Sequence, residues 1–350
     1  MIRDISINEF IRLDGILPLI DVRTPAEFEQ GHVPGAFNVP LFTNEERVKV
    51  GTTYKQAGRE EAILLGFDLI GSRWSSFIKQ ALEISPDKKV ALHCWRGGMR
   101  SGAMAWALNL YGFEVYLIQG GYKSYRRWVH QQFERPYQLL IVGGMTGSGK
   151  TRVLHELRAG GEQVIDLEDI AQHQGSSYGS MNILVQPTQE QFENNLANQL
   201  KEMDTGGRIW VEDESLTIGK RSIPNPFWRQ MLDARLLFIN VGLEDRVSSL
   251  VKEYGCLDKD FLAECTLRIQ KRLGPEQTKN AVAAIYEDRM EDFIRLALVY
   301  YDKTYRTGLT KRNAGQVYSI DITNTAAAAV AAEILAYIDA IPLKKETTQA

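Results

Sequence analysis

QLLIVGGMTGSGKTRVLHEL, residues 138–157, runs from an apolar segment through a glycine-rich loop into an amphipathic segment. The loop fits the pattern GxxxxGKS/T, with Gly144, Gly149, Lys150 and Thr151 at its fixed positions. A strand before such a loop and a helix after it separate a phosphate-binding loop from a chance match, because backbone N–H groups at the helix N-terminus then converge on one anion. The stretch predicts a parallel α/β sheet that carries a phosphate site.

The side chains of this phosphate loop have distinct expected roles. Lys150 should reach the terminal phosphate oxygens, and Thr151 is a candidate ligand of Mg²⁺. A glycine-rich turn without a ligand is the alternative, and the flanking strand and helix disfavour it. The predicted phosphate-binding residues are Gly144, Gly147, Ser148, Gly149, Lys150 and Thr151.

Acidic and hydroxyl side chains follow two other strands of the same predicted sheet. Glu212, Asp213 and Glu214 end the apolar strand segment RIWVEDE, residues 208–214, where a carboxylate would hold the metal or its water. Sequence reasoning does not choose among these three acids, although Glu212 and Glu214 are taken as supporting residues. Asp169 and Ser176 lie in DLEDIAQHQGSSYGS and are expected near the same ligand, with a solvated loop as an equal alternative.

A second anion-binding loop, HCWRGGMRS at residues 93–101, connects another apolar segment to another helix. Its glycines and arginines supply donors around Cys94, and such donors stabilise a thiolate over a thiol. Cys94 is therefore the candidate nucleophile, with Arg96 and Arg100 as catalytic partners. The stretch also satisfies the HCxxGxxRS pattern of cysteine phosphatases, in which Arg100 would hold a phosphate. A buried, inert thiol is the remaining alternative.

Composition limits the class of protein. The chain has 350 residues, 44% of them hydrophobic and 24% charged, which suits two globular domains. Three scattered cysteines exclude a disulfide framework and a CxxC zinc site, and a reactive thiol implies the reducing cytoplasm. No signal peptide or membrane span is expected. A net charge of -3 gives no general attraction to nucleic acid, so an RNA partner would need a local basic patch.

The order of predicted elements indicates two α/β domains. Strands and helices alternate up to residue 134, and Pro136 disfavours continuation of the preceding helix. The predicted domains are residues 1–134 and residues 135–343, with a disordered tail at residues 344–350. In the second domain a helical insertion at residues 244–301 interrupts the alternation of strands and helices.

Two further segments flank the cysteine loop: DVRTPAEFEQGHVPGAFNVP (residues 21–40) and IQGGYKSYRRW (residues 118–128). Together with the loop they resemble the rhodanese family, whose cysteine carries sulfur or selenium. The resemblance implies a rhodanese-like fold for the first domain. Asp21 and Arg23 are expected to support the loop, with a surface ion pair as an almost equal alternative. His93 is expected to pack beneath the loop.

A rhodanese-like domain followed by a phosphate-loop domain resembles the bacterial tRNA 2-selenouridine synthases. Several further stretches agree with segments of that family: VGTTYKQAGREEAILLGF, DLEDIA with HQGSSYG, VEDES and YYDKTYRTGL. One position departs from it, because Gln174 stands where a basic residue is expected. The resemblance implies that wobble 2-thiouridine is first S-geranylated from geranyl diphosphate and then converted to 2-selenouridine with selenophosphate. No tightly bound cofactor is expected, and Mg²⁺ and a selenophosphate-producing enzyme are candidate partners.

Two basic helical patches are candidates for binding tRNA: Lys123, Arg126 and Arg127, and a second one at Arg268, Lys271 and Arg272. Solvated helix faces are an equal alternative for both. Two rival functions remain open, namely an ATP-dependent sulfur-relay enzyme or kinase with a rhodanese-like domain, and a non-catalytic scaffold. The sequence does not indicate the oligomeric state or which tRNAs are modified.

Overall fold

A computed structural model of the protein describes residues 1–13, 15–173, 178, 185–310, 312, 314–322 and 326–340. Ser176, Gln174 and the predicted disordered tail lie outside the described residues. The chain forms two compact units: unit 1 comprises Met1–Phe133 and Thr188–Asn198, and unit 2 comprises Glu134–Pro187 and Gln199–Ala350. No helix among the described residues is long and apolar enough to cross a membrane.

Unit 1 is an α/β fold built on one parallel sheet. Its sheet has the strand order β1-β5-β4-β2-β3, and every neighbouring pair is parallel. In chain order the elements are β1 (Ile2–Ile5), α1 (Ile7–Arg12), β2 (Leu19–Asp21), α2 (Pro25–Gln30), β3 (Phe37–Asn38), α3 (Asn44–Gln56), α4 (Arg59–Ile70), a 3₁₀ turn (Gly71–Arg73), α5 (Trp74–Ile84), β4 (Lys89–His93), α6 (Met99–Leu110), β5 (Glu114–Ile118) and α7 (Gly121–Glu134).

The central strand β4 positions the cysteine loop. Val90 to His93 are all buried, as expected for a strand covered on both faces of a parallel sheet. β4 pairs with β5 on one side and with β2 on the other. Cys94 follows β4 directly, so it lies at the carboxyl edge of the sheet, beside Asp21 at the end of β2. Ligands of open α/β sheets bind at this edge.

Unit 2 has a second parallel sheet, with the strand order β12-β11-β6-β8-β7. The elements from residue 138 onward are β6 (Gln138–Gly144), α8 (Lys150–Ala159), β7 (Gln163–Ile165), α9 (Leu167–Ala171), α10 (Gln189–Glu202), β8 (Arg208–Glu212), β9 (Thr217–Ile218), β10 (Arg221–Ser222), α11 (Asn225–Asp233), β11 (Arg235–Asn240), α12 (Leu243–Tyr254), α13 (Lys259–Arg268), α14 (Gln270–Leu273), α15 (Pro275–Tyr286), α16 (Met290–Leu309), a 3₁₀ turn (Ala314–Gln316), β12 (Val317–Asp321) and α17 (Ala327–Ala340).

The phosphate loop follows β6, the middle strand of this sheet. Leu139 to Gly144 are buried, with β11 on one side of β6 and β8 on the other. Along the chain, the five helices α12 to α16 are inserted after β11 and before β12. They have an apolar core of their own, which includes Leu262, Ile285 and Phe293. The predicted fold class is therefore confirmed, with two parallel sheets and a helical insertion in the second.

One segment of unit 1 comes from far along the chain. Thr188–Asn198, which the sequence analysis assigned to the phosphate-loop domain, belongs to unit 1 and contains most of α10. The Gln191 side chain accepts a hydrogen bond from the His32 amide at 2.8 Å, and the Asn194 side chain donates to the His32 carbonyl at 2.9 Å. These contacts between residues over 150 positions apart explain why a boundary at residue 134 does not describe the whole of unit 1.

Candidate functional site

The Cys94 thiol lies at the base of a ring of donors. Its Sγ accepts a hydrogen bond from the Gly98 amide at 3.3 Å and another from the Ser101 hydroxyl at 3.3 Å. The side chain is buried, with 4% of its surface exposed. Gly98 is the N-cap of α6 and Ser101 lies in its first turn, so the N-terminus of that helix faces the sulfur.

A glycine allows the IQGGY segment to contact the cysteine loop. The Tyr122 amide donates to the Cys94 carbonyl at 2.8 Å, and the Lys123 amide donates to the Trp95 carbonyl at 3.0 Å. Gly121 has φ of 56°, and a Cβ atom there would lie 2.3 Å from the Cys94 carbonyl oxygen. Only glycine fits this close approach of two backbones.

We expect Gly121→Ala to lower the free energy of unfolding of unit 1 by about 3 kcal/mol, because it adds a backbone clash to a left-handed φ. The matched control is Gly102→Ala in α6, where a Cβ would have no neighbour within 4 Å. That control should be neutral or stabilising by up to about 1 kcal/mol. Chemical denaturation of the two variants measures the difference, and equal stabilities would contradict the close approach.

The net effect of the surroundings is to lower the pKa of Cys94. Burial by itself raises the pKa of this thiol, but the hydrogen bonds from Ser101 and Gly98 and the charge of Arg100 together outweigh burial. Donors of this kind stabilise the thiolate because they bond more strongly to a charged sulfur than to a neutral one. The site therefore favours a nucleophilic thiolate over an inert thiol.

Ser101→Ala removes one of these donors and should therefore raise the pKa of Cys94. The pH midpoint for alkylation of Cys94 by iodoacetamide should then move to higher pH, since the thiolate is the reacting form. Mass spectrometry of the Cys94 peptide separates this reaction from that of the exposed Cys256. Ser76→Ala, whose hydroxyl contacts Gln80 in α5, is the control, and an unchanged midpoint in Ser101→Ala would exclude the proposed stabilisation.

The two arginines predicted as catalytic partners of Cys94 differ in their surroundings. Arg100 forms a bidentate ion pair with Glu27, with N–O distances of 2.6 and 3.0 Å. Burial raises the pKa of Glu27, but the bonds and charge of Arg100 prevail and hold that pKa at about 2. Glu27 thus fixes Arg100 beside the loop, a contact that the sequence analysis did not foresee. Arg96 is exposed.

Asp21 and Arg23 form a buried pair beneath the loop, and neither is at the surface. The Arg23 guanidinium donates to Asp21 at 2.6 and 2.9 Å and to the Gly31 carbonyl at 2.7 Å, and both side chains are 0% exposed. His93 is also buried, and its Nε2 lies 3.6 Å from Asp21. The Arg23 guanidinium stacks on Tyr122 at 3.7 Å. This pair connects β2 to the segment that holds the cysteine loop.

The three basic residues predicted to bind tRNA on α7 are not equivalent. Lys123 and Arg127 are exposed. Arg126 forms an ion pair with Glu193 and donates to the Asn194 side chain at 2.5 Å. Its charge is therefore already paired within unit 1, which leaves Lys123 and Arg127 as the accessible cations of the predicted patch.

In unit 2, the phosphate loop has the conformation that anion binding requires. Gly147 and Gly149 have φ of 83° and 79°, which turn the backbone into the first turn of α8. A Cβ on Gly147 would lie 2.9 Å from Leu250. Lys150 donates to the Gly144 carbonyl at 3.1 Å, so its ammonium lies over the loop, and the Ser148 hydroxyl is buried without a hydrogen-bond partner. An anion in the loop would supply partners for these donors.

Three carboxylates meet next to Thr151. Oxygen atoms of Glu168, Glu212 and Glu214 lie within 4.8 Å of one another. The Thr151 hydroxyl is 3.3 Å from Glu168 and 3.4 Å from Glu212. Burial, with added repulsion from Asp166, raises the pKa of Glu168 to about 7 despite the opposing charge of Lys150. Burial and the charge of Glu168 raise the pKa of Glu214 to about 8.

These residues fit a divalent cation. Glu212 is fully buried, and its Oε1 has no hydrogen-bond partner. Oxygen ligands of this kind beside the hydroxyl of a phosphate loop suit Mg²⁺, and a cation would offset the repulsion among the three carboxylates. Thr151, Glu168, Glu212 and Glu214 are the residues that would hold it.

Asp213 and Asp169 lie outside this cluster. Asp213 accepts hydrogen bonds from Arg312 at 2.6 Å and from the Tyr305 hydroxyl at 2.6 Å. Tyr305 in turn accepts from the Gly144 amide at 3.0 Å, so Asp213 supports the loop from beneath. Asp169 is exposed and lines the same cavity as the carboxylates. One residue corresponds to about 100° around a helix, which is why Glu168 and not Asp169 faces Thr151.

The loop and the carboxylates open into a cavity of about 1780 Å³ within unit 2. Part of its wall is apolar or aromatic, and part is charged. The apolar and aromatic lining includes Leu216, Trp228, Leu232, Tyr300, Tyr301 and Tyr305.

Comparison with known proteins matches both units to described families. Residues 137–334 match the tRNA 2-selenouridine synthase AAA domain, and residues 7–127 match the rhodanese-like domain. The chain belongs to the tRNA 2-selenouridine synthase family. A tRNA 2-selenouridine synthase from Shewanella frigidimarina is 36% identical over 87% of this chain and 92% of its own length.

Two further members of the tRNA 2-selenouridine synthase family extend the comparison. The synthase from Hydrogenovibrio crunogenus is 35% identical over 85% of this chain and 90% of its own length. The one from Nitrosomonas europaea is 39% identical over 68% of this chain and 63% of its own length. The expected family and its pairing of a rhodanese-like domain with a phosphate-loop domain are thus confirmed, and the relatives' names indicate an enzyme of tRNA modification.

Sequence reasoning missed several residues of the two sites. Ser101 was quoted in the loop motif without a role, and Glu27 lies inside the quoted rhodanese-like segment. Glu168 lies next to the predicted Asp169, in a segment that was expected to face the ligand. Tyr305 and Arg312 donate hydrogen bonds to Asp213 from positions more than 90 residues further along the chain, and no local sequence pattern connects them to it.

Proposed function

We propose that the protein replaces the sulfur of wobble 2-thiouridine in tRNA with selenium, through an S-geranyl-2-thiouridine intermediate. The observation that carries the proposal is the coexistence in one chain of a hydrogen-bonded thiol of lowered pKa and a separate phosphate loop that opens into a partly apolar cavity. A prenyl diphosphate combines the two chemical features of that cavity, an anion and a hydrocarbon chain.

In the first step, the sulfur of 2-thiouridine attacks C1 of geranyl diphosphate. The C1–O bond breaks, diphosphate leaves, and the base loses its N3 proton. The loop amides and Lys150 would stabilise the charge that develops on the leaving diphosphate. When bound by Thr151 and the three glutamates, Mg²⁺ would neutralise further charge on that group.

In the second step, selenium from selenophosphate forms a bond to C2 of the base and the geranyl thiol leaves. The phosphoryl group ends on water, so selenium keeps its oxidation level and no oxidant is consumed. The S-alkyl group makes sulfur a better leaving group than a thiocarbonyl sulfur. In this step the donors of the Cys94 loop would cradle the phosphate of selenophosphate, and the Cys94 thiolate would accept the phosphoryl group as the phosphorus–selenium bond breaks, before water releases phosphate.

A kinase or an ATP-dependent sulfur-relay enzyme would use the same phosphate loop, because the loop recognises a diphosphate whatever it is attached to. Nucleoside analysis of tRNA by mass spectrometry, in cells with and without this protein, separates the two functions. Loss of 2-selenouridine, restored by the wild-type gene, is the expected result. Unchanged 2-selenouridine would contradict the proposal.

A further inference from the structure

The cavity of unit 2 is larger than one small substrate requires. Its volume is about 1780 Å³, whereas pockets for drug-sized ligands commonly measure about 300–1,000 Å³. A ten-carbon chain on a diphosphate belongs to that smaller class. The remaining space is sufficient for a second reactant next to the phosphate loop.

A basic and aromatic cluster lines one part of this cavity. Arg272 donates to the Tyr300 hydroxyl at 3.0 Å, and the rings of Tyr300 and Tyr301 lie 5.0 Å apart at 55°. Arg272, Tyr300 and Tyr301 all line the cavity that contains Lys150. Aromatic rings next to an arginine form a surface on which a nucleobase can stack while the guanidinium binds the RNA backbone.

The charge of Arg272 is available to a ligand. Within the described part of the chain Arg272 forms no ion pair, and the partner it has is the neutral hydroxyl of Tyr300. The neighbouring Arg268, by contrast, is paired with Glu264 at 2.7 Å. Arg126 of the other predicted patch is also paired, with Glu193. Arg272 is exposed as well as unpaired, as an RNA contact requires.

We propose that Arg272 and Tyr300 form the site in unit 2 that receives the anticodon loop of the substrate RNA. Tyr300 stacks on a base of the loop and Arg272 binds an adjacent phosphate, which brings the reacting sulfur to the donor in the phosphate loop. Single-stranded loops suit such a site because their bases can leave the stack. The inference rests on the proposed function, since it assigns the second reactant of the geranylation step to this cavity.

The test compares Arg272→Glu with Lys271→Glu. Both residues are exposed and lie on α14, and both substitutions change the charge equally, but only Arg272 lines the cavity. The binding of a 2-thiouridine anticodon stem-loop is measured by fluorescence anisotropy with full-length protein at several salt concentrations. Arg272→Glu should weaken binding about tenfold or more and reduce the salt slope by about one, whereas Lys271→Glu should change binding less than about threefold.

Tyr300 provides a second comparison. Tyr300→Ala should weaken binding about fivefold or more, and Tyr300→Phe, which keeps the ring, should restore most of the affinity. Equal binding by Arg272→Glu and Lys271→Glu, in a protein that still geranylates tRNA, would overturn this site and leave the proposed function intact. If the variants bound the stem-loop as predicted but the wild-type protein formed no geranylated product, the site would be supported and the proposed function would be overturned. A wild-type protein that binds no stem-loop would overturn both.

Discussion

Cys94→Ser is expected to abolish 2-selenouridine formation, with a loss of at least about 100-fold, and to leave geranylation intact. A serine keeps the size and hydrogen bonding of the side chain, but its hydroxyl stays protonated at neutral pH. The Gly98 and Ser101 donors would then have no thiolate to stabilise. S-geranyl-2-thiouridine should therefore accumulate in tRNA, as mass spectrometry of nucleosides can show.

The matched control for this variant is Cys256→Ser. Cys256 is an exposed cysteine of unit 2, and its substitution should leave both modified nucleosides at their wild-type levels. Normal 2-selenouridine in Cys94→Ser would remove the thiol from the mechanism. It would also leave the lowered pKa of Cys94 without a function.

Lys150→Ala should produce the opposite defect. Without the ammonium over the phosphate loop, the diphosphate leaving group loses its main side-chain cation, and geranylation of 2-thiouridine tRNA should fall at least about 100-fold. Selenium insertion into tRNA that already carries the geranyl group should remain near the wild-type rate. The two half-reactions are measured separately with purified protein and the corresponding tRNA.

A suitable control for Lys150→Ala is Lys252→Ala, which removes another lysine that lines the same cavity but lies outside the phosphate loop. Its effect on geranylation should be much smaller. If Lys150→Ala impaired both half-reactions equally, the phosphate loop would not be specific to the prenyl diphosphate. The division of labour between the two loops would then be wrong.

Local sequence patterns predicted the elements that carry the chemistry. The apolar runs of β4, β5 and β6 and the glycine loops after β4 and β6 depend on residues close together in the chain. In the structure, strands β4 (Lys89–His93) and β6 (Gln138–Gly144) precede the two loops, where the sequence analysis expected apolar segments. Strand β1 could not be predicted in this way, because three of its four residues are exposed and it lacks the apolar run of a buried strand.

The site features that could not be predicted depend on contacts between residues that are far apart in the chain. Glu168 reaches Thr151 only because α9 and α8 lie next to each other at the carboxyl edge of the sheet. Arg126 is not a free cation, because it is paired with Glu193, which lies 67 residues further along the chain. The choice among Glu212, Asp213 and Glu214 likewise required Arg312, which pairs with Asp213 alone of the three.

The most direct test of the division between a thiol site and a prenyl diphosphate site is geranylation in the absence of nucleotides. Purified protein is incubated with 2-thiouridine tRNA, geranyl diphosphate and Mg²⁺, without ATP or GTP, and the nucleosides are analysed by mass spectrometry. We expect S-geranyl-2-thiouridine to form under these conditions. A strict requirement for ATP or GTP would contradict the account and favour a kinase-like function for unit 2.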